Sequence, residues 1–516
     1  MAIHAPTIEF SAELVHDLTA TSGETVAVIA PFTGEVLHDL PQSTADDVAQ
    51  AASAARVAQR AWLAAGFRHR RAVLLRAHDL LLERQELILD LLQTETGKTR
   101  GQAFEEVSIS ASVTRYYALS THRVLATKRR RAAVPLVTKT RVSYQPKGVV
   151  GVITPWNYPV SLGVMDVIPA LATGNGVVQK IDNQTTLSML ATRRVYIDAG
   201  VPAALWAIVV GPGEIVGNAV VDAADYVCFT GSTPTGIRVA QRAAARLVGV
   251  SLELGGKNAM LVLDDADPMD AARKAVYACF TSMGQLCVSI ERIYVDRRVS
   301  EVFIPEFARR TRALVLGSAF NYSTDVGSLT SAAQLERVTA TVGDAVAKGA
   351  TVLAGGKPRP ELGPYFFEPT VLTDVTPAME CFAAETFGPV VAVTIVNSEA
   401  EAIAATNDTE FGLNASVFTG SARRGHRIAD QLNTGSVNIN EGYRGSFGSV
   451  DAPMGGMKKS GLGRRNGVEG MMRFVDARTV AELTGLLALP TTGRQFERLV
   501  GPLVVLAKVL KAIRRA

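Results

Sequence analysis

Apolar and polar positions divide this chain into stretches of different period. Over residues 45–125 apolar side chains recur at steps of three and four, the spacing that gathers them on one face of an α-helix. One helix opens at Ala45 behind Thr44, whose hydroxyl can accept from the first unpaired backbone N–H groups. Another is predicted over residues 71–92. Residues 124–145 alternate instead and predict a basic two-stranded segment. From Gly148 to about Gly256 short apolar strands (149–154, 177–180, 205–210 and 226–229) are separated by helical stretches such as 161–173 and 187–199, with a further short element at 215–219. That rhythm predicts a parallel, doubly wound α/β sheet. A second alternating set over residues 260–440 predicts a second α/β domain. Residues 471–482 read as a late strand placed to pair with the basic segment of another subunit.

At 516 residues the chain is longer than one hydrophobic core normally organises, so two or three domains are expected. Its 53 basic and 49 acidic residues leave a net +4, too diffuse to imply nucleic acid. The run Lys128-Arg129-Arg130-Arg131 has no interleaved aromatic residues and reads as a solvated strand edge. Four cysteines (Cys228, Cys279, Cys287 and Cys381) form no disulfide framework and no CxxC pair, so no metal centre is expected and a reduced, cytoplasmic setting fits. Met1-Ala2-Ile3-His4-Ala5 does not open a signal segment, and no run approaches ~18 uninterrupted apolar residues. The segment Thr94-Glu95-Thr96-Gly97-Lys98-Thr99 is not a P-loop, because Leu92 stands where the first glycine would be needed.

The candidate chemistry centres on three segments. Cys287 lies in Gly284-Gln285-Leu286-Cys287-Val288, where the Gly-Gln break can present a thiol at the end of a loop. Cys228 and Cys279, inside a strand and a helix, read as core thiols. Glu253 precedes Leu254-Gly255-Gly256, where absent side chains permit close approach, and Asn157 is stiffened by Pro155 and Pro159. A thiol nucleophile, a carboxylate base and an amide donor are what oxidation of an aldehyde through a thioester requires. Gly231-Ser232-Thr233-Pro234-Thr235-Gly236 closes a strand and opens a helix, where backbone N–H groups can hold a pyrophosphate. A GxxxxG pattern is weak evidence alone. Lys180 ends a strand, a sensible position for a ribose contact.

The order and flanks of these motifs, together with Glu95-Thr96-Gly97-Lys98 and Pro453-Met454-Gly455-Gly456, resemble the aldehyde dehydrogenase superfamily over residues 20–480. Tyr144-Gln145-Pro146-Lys147-Gly148 and residues 284–295 are most similar to the actinobacterial type of succinate-semialdehyde dehydrogenase. The resemblance implies an α/β fold with a Rossmann-type NAD(P)-binding domain (1–123 and 146–253) and an α/β catalytic domain (254–445). It adds a small β oligomerisation element (124–145 and 446–484) before the tail 485–516. It assigns catalysis to Cys287, Glu253 and Asn157. The cofactor falls to Trp156, Asn157, Lys180, Ile181, Asp182, Asn183, Gly231, Ser232, Leu254, Glu385 and Phe387. Glu253 argues against members that pass the acyl group to coenzyme A. A neutral Asn183, where NAD-preferring members carry a glutamate, admits NADP, and Asp182 beside it leaves NAD open.

Better-known succinic-semialdehyde enzymes hold the substrate carboxylate with two arginines, at positions occupied here by Met165 and Thr281. Arg444 is the candidate replacement, with Ser446 and Ser449 as hydroxyl donors; without it an apolar or aromatic aldehyde is the alternative. A non-catalytic protein on this fold is a further alternative, opposed by the retention of Cys287, Glu253 and Asn157 together. The resemblance also implies a small-molecule aldehyde as partner, and a homodimer or homotetramer. Residues 499–516 set Leu503, Leu506, Val509, Leu510 and Ile513 against Lys508, Lys511, Arg514 and Arg515, predicting a cationic amphipathic helix interrupted at Gly501-Pro502. Packing against a neighbouring subunit or beside the tunnel mouth is expected of it in preference to anchoring at a membrane surface.

Overall fold

The computed structural model describes residues 13–133, 137–486 and 490–513. Met1 to Ala5, Arg514 and Arg515 lie outside the described residues. The chain forms two compact units, one of Met1–Leu119 with Lys147–Phe474, the other of Ser120–Pro146 with Val475–Ala516.

The large unit holds two sheets. In the first, the strands run in the order Gly461–Leu462, Gly249–Glu253, Tyr226–Thr230, Val149–Ile153, Gly176–Lys180, Trp206–Val209. All pairs are parallel except the short edge strand. The second orders Thr351–Ala354, Thr370–Thr373, Val390–Val396, Ile290–Asp296, Asn258–Val262, Asn414–Phe418 and Ser436–Ile439, again parallel but for one edge pair. Strands such as Val149–Ile153 and Asn258–Val262 are buried along their whole length, as expected of parallel strands covered on both faces. The doubly wound reading of the sequence therefore holds.

Thr44 caps the helix Ala45–Ala64 through a capping box with Asp47. The single helix expected over 71–92 is two, Gly66–Glu83 and Gln85–Thr96. They separate at Arg84, which leaves helical geometry (φ −101°, ψ 15°) and reaches Asp198 at 2.5 Å.

The small unit is a three-stranded antiparallel sheet, Lys128–Arg130, Thr138–Pro146 and Val475–Leu483, together with the helix Gly493–Ala512. The late strand pairs with its own chain's basic segment, from Val475 opposite Pro146 to Leu483 opposite Thr138, which corrects the expected pairing across subunits. Alternating, half-exposed strands carry no mark of whether their partner is in the same chain. Residues 446–474, expected with this element, belong to the large unit. There Gly461–Leu462 extends the first sheet beside Glu253, and Met454 and Arg465 exchange backbone bonds of 2.7 and 2.6 Å. The tail helix runs through Gly501-Pro502 without the expected interruption. Proline's fixed φ suits a helix, and the loss is confined to a backbone hydrogen bond and local crowding.

Candidate active site

In the first sheet the chain lays Val149–Ile153 down, continues outward on one side, and then returns to place Tyr226–Thr230 on the other. Loops leaving the carboxyl ends of those two strands therefore diverge, opening the crevice where α/β sheets bind ligands. One wall of the cleft is Pro155, Trp156 and Asn157, and the facing wall is Thr230, Gly231 and Ser232. Glu253, Leu254 and Gly255 come from the next strand, while Cys287, Glu385 and Phe387 arrive from the second sheet's segments. The three residues of the candidate chemistry thus line one cleft.

Local backbone geometry presents Cys287. Ser282, Met283 and Gly284 all adopt left-handed φ values (49°, 59° and 67°). That costs energy at the two non-glycine residues and suits a loop held by its surroundings. A Cβ on Gly284 would lie 2.1 Å from the Gly388 carbonyl oxygen, so only glycine fits. Asn258 Nδ2 donates to the carbonyls of Cys287 (2.8 Å) and Ser289 (2.7 Å), fixing the far side of the loop. Cys287 is a half-buried residue lining the cleft, whereas Cys228, Cys279 and Cys381 are buried. Burial, with Glu253 and Glu385 adding to it, pushes the Cys287 thiol up to about 12, so it rests protonated.

Asn157 Nδ2 donates to the Gln285 carbonyl at 2.9 Å, which leaves its second N–H beside the cysteine loop. The Asn157 carbonyl accepts from Lys98 Nζ at 2.9 Å. Lys98 is paired with Glu106, whose Oε2 accepts from the backbone N–H of Val160 and Ser161, each at 3.0 Å. This buried pair ties the Asn157 loop to the start of the helix Pro159–Thr173. Sequence reasoning missed that role, although it singled out Lys98 in rejecting a P-loop.

Glu253 is buried and its Oε1 has no hydrogen-bond partner among the described residues. Burial raises its carboxyl to about 7, against the lowering influence of Arg465. Arg465, itself fully buried, donates to Asp166 (3.0 and 2.6 Å) and to Thr230 Oγ1 (2.7 Å). Glu385, also raised to about 7 chiefly by burial, accepts from Gly256 N at 2.8 Å. A Cβ on Gly255 would meet its carboxylate at 2.5 Å, so this strand end must be free of side chains. Glu291 accepts from the backbone N–H of Thr386 and Phe387 and pairs with Lys257 at 2.6 Å, locking the turn that carries Glu385. Phe387 meets Trp156 edge-on, with ring centroids 5.6 Å apart.

The remaining cofactor candidates divide into two groups. Gly231 and Ser232 precede the helix Thr233–Ala244, and a Cβ on Gly236 would strike Leu254 at 2.4 Å, so that glycine lets the helix approach the cleft floor. The N–H groups of this helix start, a half-buried carboxyl group at Glu385 and a side-chain-free strand end suit a dinucleotide. Lys180, Ile181, Asp182 and Asn183 lie at the end of the neighbouring strand and do not line the cleft around Cys287. Ile181 is fully buried, so its backbone alone is available. Asp182 accepts from Gln184 N, and Asn183 Nδ2 donates to Gln42 Oε1 at 3.1 Å while its Oδ1 has no partner among the described residues. Gln334 and Arg337, three residues apart on the helix Ala332–Ala347, also line the cleft, as do Leu162 and Thr230. Nothing in their spacing distinguishes them in the sequence.

Arg444 and Ser449 are not among the residues lining the cleft around Cys287. The Arg444 guanidinium lies 4.0 Å above the Tyr277 ring and 3.4 Å from Glu441. The exposed Ser449 donates to the Gly445 carbonyl, and Ser446 Oγ to that of Tyr443. A chain of aromatic contacts still connects this loop to the Asn157 loop, running from Tyr158 to Phe447 (6.3 Å), Tyr443 (6.1 Å) and Tyr277 (6.0 Å). Tyr277 and Tyr443 both donate to Glu105, whose carboxyl burial holds above the usual range. Met165 and Thr281 are buried.

Residues 18–480 match the model of the aldehyde dehydrogenase family. A Mycolicibacterium smegmatis protein named "putative succinate-semialdehyde dehydrogenase (NADP+)" is 49% identical over 467 residues, 90% of each chain. The crystal structure of succinate-semialdehyde dehydrogenase from Burkholderia pseudomallei superposes with a TM-score of 0.86 at 34% identity, covering 90% of this chain and 96% of that one. Betaine aldehyde dehydrogenase from Staphylococcus aureus, in complex with NAD+, gives 0.86 at 29% identity, with 94% and 99% covered.

Proposed function

This chain belongs to the aldehyde dehydrogenase family, and we propose that it oxidises succinic semialdehyde to succinate with NADP+ or NAD+. The observation that supports this substrate is the 49% identity, across 90% of both chains, to a relative bearing that name. Cys287 Sγ attacks the aldehyde carbon and its proton passes to Glu253, a buried base held near neutrality. The free N–H of Asn157 Nδ2 and the backbone N–H of Cys287 receive the developing oxyanion. Bound in the cleft, NAD(P)+ would supply the hydride acceptor, and loss of the hydride would leave the acyl group on Cys287 as a thioester. Once Glu253 has passed the thiol proton to solvent, it takes another from the water that cleaves this thioester and returns it to the departing sulfur, restoring the thiol while the acid leaves and ionises to the carboxylate. Gly231, Ser232, Leu254, Glu385 and Phe387 would hold the dinucleotide along the cleft, and Lys180 with Asn183 its adenosine end.

The Asn183 amide favours NADP+ over a chain with a carboxylate there. Asn183→Glu is expected to raise the Michaelis constant for NADP+ by at least about tenfold while changing that for NAD+ little. Equal effects on the two would show that the 2′-phosphate does not approach this position.

For the substrate carboxylate we assign Arg444, the cation at the outer end of the aromatic chain that begins beside Asn157. Arg444→Ala is expected to lower kcat/KM for succinic semialdehyde by roughly 10–150-fold and to spare butyraldehyde, since one charge-assisted pair is worth about 1.5–3 kcal/mol. The buried Met165 and Thr281 favour a second reading, an apolar or aromatic aldehyde. Values of kcat/KM for succinic semialdehyde, butyraldehyde, benzaldehyde and a long-chain aldehyde decide between them. A wild-type preference for the uncharged aldehydes removes the succinic assignment.

A further inference from the structure

The net charge of +4 conceals a segregation. Fourteen of the 53 basic residues but only three of the 49 acidic ones (Asp476, Glu482 and Glu497) fall in Ser120–Pro146 and Val475–Ala516. The small unit therefore carries a net +11 and the rest of the chain −7. Its edge strand, Lys128–Arg130, is exposed throughout and wholly basic.

The helix Gly493–Ala512 in the same unit has no fully buried residue; Leu499, Leu503, Leu506 and Leu510 are half-buried, and Phe496, Val500 and Val504 are exposed. Phe496, Leu499, Leu503, Leu506 and Leu510 follow one another at alternating steps of three and four and so share one face. Val500, Val504 and Ala507 widen that face well beyond a two-residue-per-heptad seam. Arg494, Arg498 and Lys508 project from the other side, which Val505 and Val509 share, Lys511 flanks the apolar face, and Glu497 is the one acid. No described helix is long and apolar enough to cross a membrane. The family match ends at residue 480, so the family likeness does not account for this helix.

We propose that the helix Gly493–Ala512, with the basic edge Lys128–Arg130 of the same unit, docks this aldehyde dehydrogenase on an anionic lipid surface. A wide apolar face with a cationic opposite side suits a helix lying in the plane of the interface, its leucines among acyl chains and its basic groups against lipid phosphates. Charge argues against a second copy of the helix as the occupant, because pairing would bring two positive units together. Charge alone would suit nucleic acid, but nucleic acid leaves the apolar face exposed.

Co-sedimentation of the full chain with vesicles tests this, comparing phosphatidylcholine mixed with phosphatidylglycerol against phosphatidylcholine alone, at low and high salt. Binding is expected to the mixed vesicles, weakened by salt. Reversing Arg494, Arg498, Lys508 and Lys511 to Glu should reduce it by at least about 100-fold, since each basic residue at such a surface is worth roughly fivefold. Replacing Leu503 and Leu510 by Ser should reduce it by at least about tenfold. Aldehyde oxidation in lipid-free solution should be unchanged in every variant, which also shows that they fold. Equal binding to both vesicle types would overturn the proposal. So would full binding by the serine variant, which would reduce the effect to charge alone, as for a nucleic acid. A smaller assembly in lipid-free solution after removal of residues 490–516 would show that the helix covers a second copy, and would overturn it too.

Discussion

Cys287→Ala is expected to lower aldehyde oxidation to below about 10⁻⁴ of wild type, because it removes the proposed nucleophilic sulfur while leaving the cleft intact. Glu253→Gln should behave differently. Hydride leaves before water attacks, so this variant should yield up to one equivalent of reduced cofactor per site, more slowly than wild type, and then stall at the thioester. Slowing is expected because Glu253 also takes the thiol proton, and that thiol is held up to about 12. Rapid mixing with cofactor and aldehyde reads both quantities. A steady rate without a burst would remove Glu253 from the deacylation step, and no reduced cofactor from a variant that still binds NAD(P)+ would show that Glu253 is not purely the deacylation base but is required before hydride transfer. The same carboxyl sets the pH dependence. Its basic form is the active one, so wild-type kcat/KM should rise with pH and reach half its plateau near 7, where burial holds the group. That limb should vanish from the burst rate of Glu253→Gln.

Much of this site was legible because its parts are local. Gly284 before Cys287, Gly255 after Glu253 and Gly236 after Gly231 each answer to a short contact that a Cβ would violate, and such demands leave a mark in a few consecutive residues. The doubly wound sheet was legible for a related reason: fully buried strands read as unbroken apolar runs. What escaped was long-range. The Lys98–Glu106 pair behind Asn157 and the Lys257–Glu291 pair behind Glu385 join segments whose proximity only the fold creates. The strand Val475–Leu483 could be assigned a pattern but not a partner, since its half-exposed alternation fits a strand of its own chain or of another equally well. Arg444 was found as a cation, yet its place over Tyr277 depends on aromatic residues from separate elements.

Asp166 shows how strongly one such unseen contact should matter. It is fully buried on the helix Pro159–Thr173 and accepts from both Arg465 and Arg473. The two guanidiniums hold its carboxyl below the usual range against the opposing effect of burial. Asp166→Ala would strand two buried cations, and Arg473 Nη1 already has no partner among the described residues. Breaking a buried pair from one side typically costs about 3–5 kcal/mol, so a large fall in resistance to heat and urea is expected. Arg465→Met should cost less, because Asp166 keeps Arg473 and methionine fills much of the vacated volume. Equal losses in the two variants would show that charge balance is not what the cluster supplies. Arg465→Met should also act on the chemistry. It deletes the cation that favours ionised Glu253 and frees Thr230, whose backbone lies opposite Glu253 in the sheet. The rising limb of the pH profile should therefore move above 7 in this variant, a shift that a purely structural role for Arg465 would not produce.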